Sequence, residues 1–267
     1  MDGMNHPAPL ITAASALRRI PSHVDPADKI VFDGIRFSLE ILDRAHRRLR
    51  ESLWALSQQE RIDPIDVYVD VLADAWQMID CLNRLATLYE GSSGYLDHDF
   101  CREYADLLAH VALPRNAIQH VKGRQEKIIA DKEPVWGILG WASCVGSLPD
   151  LKAHIYCFAP GAIRTSELPV TELPERPFHP PIDGIVLRAA KTDVHLSELM
   201  LSTAGFAQLL DVELSKSFPV GVDHVRDAFM SIPLSFNDTG ARTPKLTVAF
   251  TVPHANRAAR RAKGRKS

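Results

Sequence analysis

"IRFSLEILDRAHRRLRESLWALSQQ", residues 35–59, is the stretch that decides the fold. Its leucines return every three or four positions, and they are Leu39, Leu42, Leu49, Leu53 and Leu56. An α-helix turns once in about 3.6 residues, so this spacing places the leucines on one face and most of the charged side chains on the other. The pattern predicts an amphipathic helix over residues 35–59 that buries its leucine face against other helices.

Three more helices are predicted after this one, each with its own apolar stripe. The second begins at Asp63 and Pro64, an N-cap acid followed by proline at the first helical position, and it stops near Gly91. The third covers about 99–113, and the fourth covers about 114–132. Because each stripe needs a partner, we expect the four helices to form one antiparallel bundle joined by short loops.

The pattern changes beyond Pro134, where short apolar runs are bounded by glycine and proline, as is typical of strands. The predicted strands are "VWGILGWAS" (135–143), "AHIYCFAP" (153–160), "GIVLRAA" (184–190), "AFMSIPLSF" (228–236) and "KLTVAFTV" (245–252). Five prolines in "LPVTELPERPFHPPID", residues 168–183, predict an extended loop. Apolar residues recur at helical spacing over about 197–216, which predicts a fifth long helix.

These elements predict an α+β protein, in which an antiparallel helical bundle is followed by a small β-sheet and a further long helix. The predicted organisation has four parts. They are a flexible N-terminal segment (1–30), the helical bundle (31–133), a mixed α/β extension (134–255) and a basic, disordered tail (256–267).

Composition limits the function classes. The chain of 267 residues is 46% hydrophobic and 24% charged, as in an ordinary soluble globular protein. Its formal net charge of -2 argues against a general polyanion binder, so any affinity for nucleic acid must come from a local cluster. The four cysteines lie far apart with no CxxC pair, which indicates reduced thiols in a cytoplasmic protein.

Neither export nor membrane insertion is expected from the apolar segments. Asp2 stands where a signal peptide would carry positive charge. The most apolar window, residues 135–148, is shorter than the roughly 20 helical residues that cross a bilayer. We therefore expect no membrane partner.

"LPRNAIQHVKGRQ", residues 113–125, concentrates polar chemistry at the start of the predicted fourth helix. Asn116, His120 and Arg124 lie four residues apart and would share one face of that helix, pointing away from its apolar stripe. The spacing of Arg115 and His120 is also found in Arg18 and His23, so spacing alone is a weak signal. Asparagine directly after the arginine makes "RNAIQH" more specific.

This arrangement resembles the signature of the HEPN superfamily, in which arginine, a polar residue and a later histidine begin the last helix of a bundle. The resemblance covers about 100 residues, from 35 to 132, and rests on this one motif and the helix pattern. It implies a metal-independent endoribonuclease site that is composite across a dimer, in a family where many members have lost catalysis. Arg115, Asn116 and His120 carry over by position.

The chemistry of these residue types suits RNA cleavage by its own 2'-hydroxyl. His120 would move protons near neutral pH, and Arg115 would stabilise the negative charge of the transition state. Asn116 would orient the imidazole, ribose or phosphate, and Arg124 would bind a flanking phosphate. This mechanism needs no cofactor or metal, and a homodimer would supply the second histidine that a paired acid and base require.

Other interpretations of the motif remain open. Arg115, Asn116 and Arg124 also suit a solvated helix face, in a non-catalytic, dimeric interaction module or ligand-binding protein. A nuclease should place Arg115 and His120 together in a cleft that a two-fold partner can complete, whereas an interaction module can leave them apart on open surface.

The other polar clusters of the sequence are interpreted as structural, and several histidines are assigned no role. The cluster "RAHRRLR", residues 44–50, is interpreted as solvent-facing rather than as a phosphate track. "DHD", residues 97–99, is interpreted as an N-cap rather than as a metal site. No role is assigned to five histidines without an acid or cysteine arranged around them, which are His154, His179, His195, His224 and His254.

Overall fold

A computed structural model of the chain describes residues 7–58, 65–91, 99–145, 152–161, 176–218 and 227. The helices are α1 (Pro26–Ser57), α2 (Ile65–Gly91), α3 (Asp99–Ala109), α4 (Ala112–Gln119), α5 (Val121–Asp131) and α6 (Leu196–Ser217). The strands are β1 (Ile138–Val145), β2 (Lys152–Phe158), β3 (Ile182–Ala189) and β4 (Thr192–His195). The protein is therefore of the α+β class, as the sequence predicted.

Helix α1 begins at Pro26, well before the predicted start at residue 35. Asp25 is its N-cap, and the Asp25 carboxylate accepts a hydrogen bond of 2.8 Å from the backbone N–H of Ala27. This acid followed by proline is the same start signal that was used at Asp63 and Pro64. All five leucines of the predicted stripe are buried.

Helices α1 and α2 form an antiparallel pair, which gives the bundle its long axis. In the second half of α1, Arg48 donates hydrogen bonds to Asp74, in the first half of α2. At the other end of the pair, Gly34 lies against Leu88. Helix α3 packs against α2 and also against α6, where the Tyr104 ring stacks on Phe206 at 4.7 Å between ring centroids.

The predicted fourth helix is wrong as a continuous element, because the structure divides it into α4 and α5 at His120. His120 has backbone angles of φ -113° and ψ 31°, outside the α-helical region. Helix α5 has no buried residue, so little tertiary packing opposes the break. The backbone N–H of His120 still donates to the Asn116 carbonyl at 3.2 Å, so these two residues remain one helical turn apart. Arg124 lies beyond the break, so the continuous helix that would align it with them is absent.

The four strands form one antiparallel sheet in the order β2-β1-β3-β4. Strand β3 is buried along almost its whole length, whereas β2 is largely exposed. The sheet is attached to the end of α1, where Trp141 Nε1 donates to Ser57 Oγ at 3.0 Å and Tyr156 Oη donates to the Ser57 carbonyl at 3.2 Å.

Strand β4 was not predicted, because its hairpin has an unusual turn. Ala190 and Lys191 join β3 to β4, and both have positive φ, as type I' hairpin turns require. Asparagine and glycine normally fill such positions. Here the Glu133 carboxylate accepts a hydrogen bond from the Lys191 backbone N–H at 2.9 Å, which helps to hold the turn.

Residues 7–30 include part of the segment predicted to be flexible, yet Leu17 and Ile20 lie in the hydrophobic core. A short 3-10 helix, Ala16–Arg18, is fixed to α6 by Asp211, whose carboxylate accepts hydrogen bonds from Ser15 Oγ and the Ala16 N–H. The apolar residues of this segment are buried because they pack against apolar residues of α1 and α6. Part of the segment predicted to be flexible, residues 15–20, is therefore packed against the rest of the fold in the structure.

Met1–Val225 form one compact unit, which spans the boundary predicted between residues 133 and 134. Arg226–Ser267 form a second unit, of which the structure describes only residue 227. The strands predicted at 228–236 and 245–252, and the tail, lie outside the described residues. None of the helices among the described residues combines the length and apolar character needed to cross a bilayer.

Candidate functional site

The sequence-predicted site residues lie on the surface of α4 and α5. Arg115 Nε donates a hydrogen bond of 2.8 Å to Asp80 on α2, and both side chains are partly exposed. Asn116 and His120 are exposed. Arg124 lies on α5 beside a small pocket of about 30 Å³, room for about one water molecule. The structure therefore does not bring Arg115, Asn116, His120 and Arg124 into one cleft within the described part of the chain.

A larger cavity of about 230 Å³ lies elsewhere, between α1, α6, the residues that lead into β3 and the N-terminal segment. Most of its accessible wall is apolar, although several charged side chains border it. Its polar lining residues are Asp43, His46, Arg50, Arg176, His179, Asp183 and Ser197. Its apolar lining residues are Pro7, Ala8, Leu10, Pro180, Met200, Leu201 and Ala204.

Helix α1 contributes three polar residues to this wall, Asp43, His46 and Arg50, at spacings of three and four. All three are buried, on the side of α1 that also carries the leucine stripe. Helical periodicity brings them to one face for the same reason that it aligns the leucines. Residues 44–50 were interpreted as solvent-facing, and this is wrong for His46 and Arg50.

The side chain of Arg50 reaches across the cavity and binds backbone carbonyls of the residues that lead into β3. Its NH1 group donates to the Ile182 carbonyl, and its NH2 group lies 3.3 Å from the Pro180 carbonyl and 3.4 Å from that of His179. Burial lowers the pKa of Arg50, while the nearby charge of Asp183 opposes that shift. An arginine remains protonated under such shifts, so a buried cation holds the chain just before β3.

The Arg176 cluster, formed by Arg176, His179, Asp183 and Glu198, is the second polar part of the wall. Arg176 binds Asp183 through two parallel hydrogen bonds of 2.7 and 2.8 Å, the bidentate geometry that suits a guanidinium and a carboxylate. Arg176 also forms an ion pair with Glu198 on α6 at 2.9 Å. The cluster therefore joins the irregular residues 176–181 to both β3 and α6.

Asp183 is ionised because its hydrogen bonds outweigh its burial. Burial alone would raise the pKa of this carboxyl group. The side chain of Arg176 and the backbone N–H groups of His179 and Gly184 donate to the carboxylate, and together they hold the pKa of Asp183 at about 2. With its side chain only 2% exposed, Asp183 is a buried anion with four hydrogen bonds.

Sequence reasoning missed this cavity, although two signals were present. Asp43, His46 and Arg50 interrupt the buried side of α1, where unpaired polar groups are unfavourable, so their positions indicated partners elsewhere. His179 received no role for want of an acid near it, but Asp183 lies four residues later and its Oδ2 is 3.5 Å from His179 Nδ1. Two prolines lie between His179 and Asp183, and the segment was predicted to be an extended loop, so no contact between the two side chains was expected.

The cavity wall is suited to enclosing an apolar molecule beside a polar surface whose charged groups mostly bind one another or backbone carbonyls. Within the described ranges, no group of three or more histidine, cysteine, aspartate or glutamate residues is arranged to hold a metal ion. No protein-family model, curated protein or solved structure matches this chain.

Proposed function

We propose that this protein binds a small, largely apolar ligand in the cavity between α1, α6 and the residues leading into β3. The observation that carries the proposal is the cavity itself, about 230 Å³ in volume, with a mostly apolar wall and a few converging polar groups. Ligand sites in proteins commonly have this composition. An apolar cavity of roughly 150 Å³ is enough to bind benzene, so a single ring with a short substituent fits this volume.

The wall is preorganised, which favours binding. Arg50 and the Arg176 cluster fix residues 176–183 by hydrogen bonds to backbone and side chains, so little chain entropy remains to be lost when a ligand enters. On the other side, the lining residues Ser197, Met200 and Ala204 project from the regular helix α6. Sites on regular elements hold their geometry better than sites on loops.

Filling the cavity tests the proposal. Ala204 lies on α6, lines the cavity and is otherwise exposed, so Ala204→Phe should occupy the cavity without disturbing the core. Gln208→Phe introduces the same ring one turn along α6, at an exposed position outside the cavity, and is the matched control. Ligand-observed NMR with toluene and acetophenone should show saturable binding to the wild type and to Gln208→Phe, and at least tenfold weaker binding to Ala204→Phe. Equal binding to all three proteins would exclude this cavity as the site.

A second candidate function is metal-independent RNA cleavage by the motif on α4. The observation that favours it is accessibility, because Asn116 of α4 and His120, just after α4, are exposed. Arg115 lies beside Asn116 and is oriented by its hydrogen bond to Asp80 of α2. An RNA strand can reach such a surface. His120 would transfer the proton, Arg115 would stabilise the transition-state charge, and Arg124 would bind a flanking phosphate.

RNA digestion with EDTA present tests this second function. The wild type should cleave single-stranded RNA to a 2',3'-cyclic phosphate and leave DNA intact. His120→Ala and Arg115→Ala should each lower the rate by roughly 100-fold, as for loss of a general acid or an electrostatic stabiliser. His23→Ala, in the other copy of the spacing, is the control. Full activity in the His120 variant would refute the assignment.

The composite form of that site requires a homodimer. Helix α5 has no buried residue, so its surface is available to a second copy of the chain. Light scattering at tens of micromolar should then show a dimer. Monomer alone, together with full nuclease activity, would remove the composite site while leaving the ligand cavity unaffected.

A further inference from the structure

Among the residues that the structure describes, the lining of the cavity carries no net formal charge. Two arginines, Arg50 and Arg176, face two aspartates, Asp43 and Asp183, and the formal count takes histidine as neutral. Two charged residues outside the lining pair with lining residues, and their charges cancel as well. Arg47 pairs with Asp43, and Glu198 pairs with Arg176. A ligand with a full charge would therefore lose its hydration without gaining a counter-ion.

The terminal nitrogens of both wall arginines are committed to protein acceptors, whereas the buried Nε of Arg50 has no hydrogen-bond partner among the described residues. A guanidinium has five N–H donors. In Arg176, Nε donates to Glu198, and NH2 donates to Asp183 and lies 2.9 Å from a Glu198 oxygen. The two N–H groups of NH1 are shared among three acceptors within hydrogen-bond distance, which are Asp183, His179 Nδ1 and the Pro177 carbonyl. Arg50 directs its terminal nitrogens at backbone carbonyls. Neither arginine offers the paired N–H groups that recognise a carboxylate or phosphate.

His179 differs from these groups because its ring is fixed and still accessible. Arg176 NH1 lies 2.8 Å from His179 Nδ1, and an arginine can only donate, so Nδ1 is the acceptor. A neutral imidazole whose Nδ1 accepts must carry its proton on Nε2. The ring lines the cavity and its side chain is 57% exposed. Nε2–H is therefore a hydrogen-bond donor with a defined orientation at the edge of the cavity.

We propose, on the basis of the ligand-binding function proposed above, that the ligand is an uncharged molecule about the size of one ring. It carries a hydrogen-bond acceptor, such as a carbonyl oxygen, and this acceptor binds the Nε2–H of His179. The apolar side chains of Leu10, Met200 and Leu201 receive the body of the ligand. His179 is then a specificity-determining residue, and Arg176 is a positioning residue that fixes its tautomer. A charged molecule of the same shape binds more weakly, because the charged side chains described in the wall are paired or bound to backbone carbonyls and leave no counter-ion for it.

Four compounds of similar shape test separately the requirement for a neutral ligand and the requirement for a hydrogen-bond acceptor. Acetophenone is neutral and carries an acceptor, cumene is neutral and has none, benzoate is an anion, and benzamidinium is a cation. Dissociation constants are measured by NMR titration with the wild type, His179→Phe and His179→Gln. His179→Phe should weaken acetophenone by roughly three- to tenfold, the range of one neutral hydrogen bond, and leave cumene within twofold. His179→Gln keeps an N–H donor and should restore part of the acetophenone affinity.

The outcomes distinguish this inference from the proposed function. Benzoate and benzamidinium should each bind the wild type at least tenfold more weakly than acetophenone. If none of the four compounds binds at millimolar concentration, the ligand-binding function itself is wrong. If acetophenone and cumene bind and both respond alike to His179→Phe, the cavity remains a binding site and the assignment of His179 is wrong. If benzoate or benzamidinium binds most tightly, the requirement for a neutral ligand is wrong.

Discussion

Asp183 is the residue on which the polar wall of the cavity depends. It accepts hydrogen bonds from Arg176 and from the backbone N–H groups of His179 and Gly184, and its charge also acts on the buried Arg50. Removing one partner of a buried ion pair leaves the other partner uncompensated. The stability of this region should therefore respond to Asp183 more than to any surface pair.

Asp183→Asn should lower the free energy of unfolding by about 2–3 kcal/mol, somewhat less than for a fully buried pair because Arg176 is partly exposed. Urea denaturation measures the change. Asp193→Asn is the control, since its pair with Arg188 is more exposed and should contribute less than about 1 kcal/mol. A loss no greater in the Asp183 variant than in the Asp193 variant would show that the Arg176 cluster contributes little to stability.

Acid should remove the contribution of Asp183 in a defined window. The folded-state pKa of about 2 lies below the ordinary value of 3.8, so the unfolded chain binds a proton first as the pH falls. Stability from this group is thus fully present above about pH 5 and is lost as the pH falls toward 2, for a total of about 2 kcal/mol. Unfolding free energies measured across this window should fall more steeply for the wild type than for Asp183→Asn. Parallel curves would contradict the depressed pKa.

At the scale of elements, the long periodic segments could be predicted from the sequence and the ends and interruptions could not. The leucine stripe indicated α1, and the apolar run at 184–190 indicated β3. The break at His120 precedes a helix that has no buried residue, and no local sequence pattern indicates that α5 is left unburied. The cavity depends on residues from α1 and from residues 176–183, which are far apart in the chain, so the spacing of its groups is invisible before the chain folds.

Gly137, just before β1, is required by the approach of β1 to β3. Its φ is +75°, and a Cβ there would lie 2.4 Å from the Arg188 carbonyl oxygen on β3. Gly137→Ala should therefore destabilise the protein by more than about 2 kcal/mol, from backbone strain and the clash together. Gly123→Ala is the matched control, because nothing lies within 4 Å of its Cβ position in α5, and it should stabilise by up to about 1 kcal/mol. If thermal denaturation shows Gly137→Ala to be as stable as Gly123→Ala or more stable, the close approach at Gly137 does not constrain the chain as proposed.

At the scale of the whole molecule, the site predicted from sequence and the cavity found in the structure lie in different places. The motif at 115–120 was visible because its residues are close in sequence, and the structure leaves them on open surface. The cavity is assembled by tertiary packing of α1 and α6 around β3, so only the folded chain defines it. The two functions proposed are physically independent, and each can fail without the other.

Intermolecular NOEs from bound acetophenone to the methyl groups of the protein test the central claim most directly, because they locate the ligand. With methyl groups labelled, the ring protons of acetophenone should show NOEs to Leu10, Met200, Leu201 and Ala204, whose side chains line the cavity. Ala204→Phe should abolish these NOEs. NOEs confined to Ile118 and Val135, beside the small pocket next to α5, or to no methyl group of the cavity, would contradict the account.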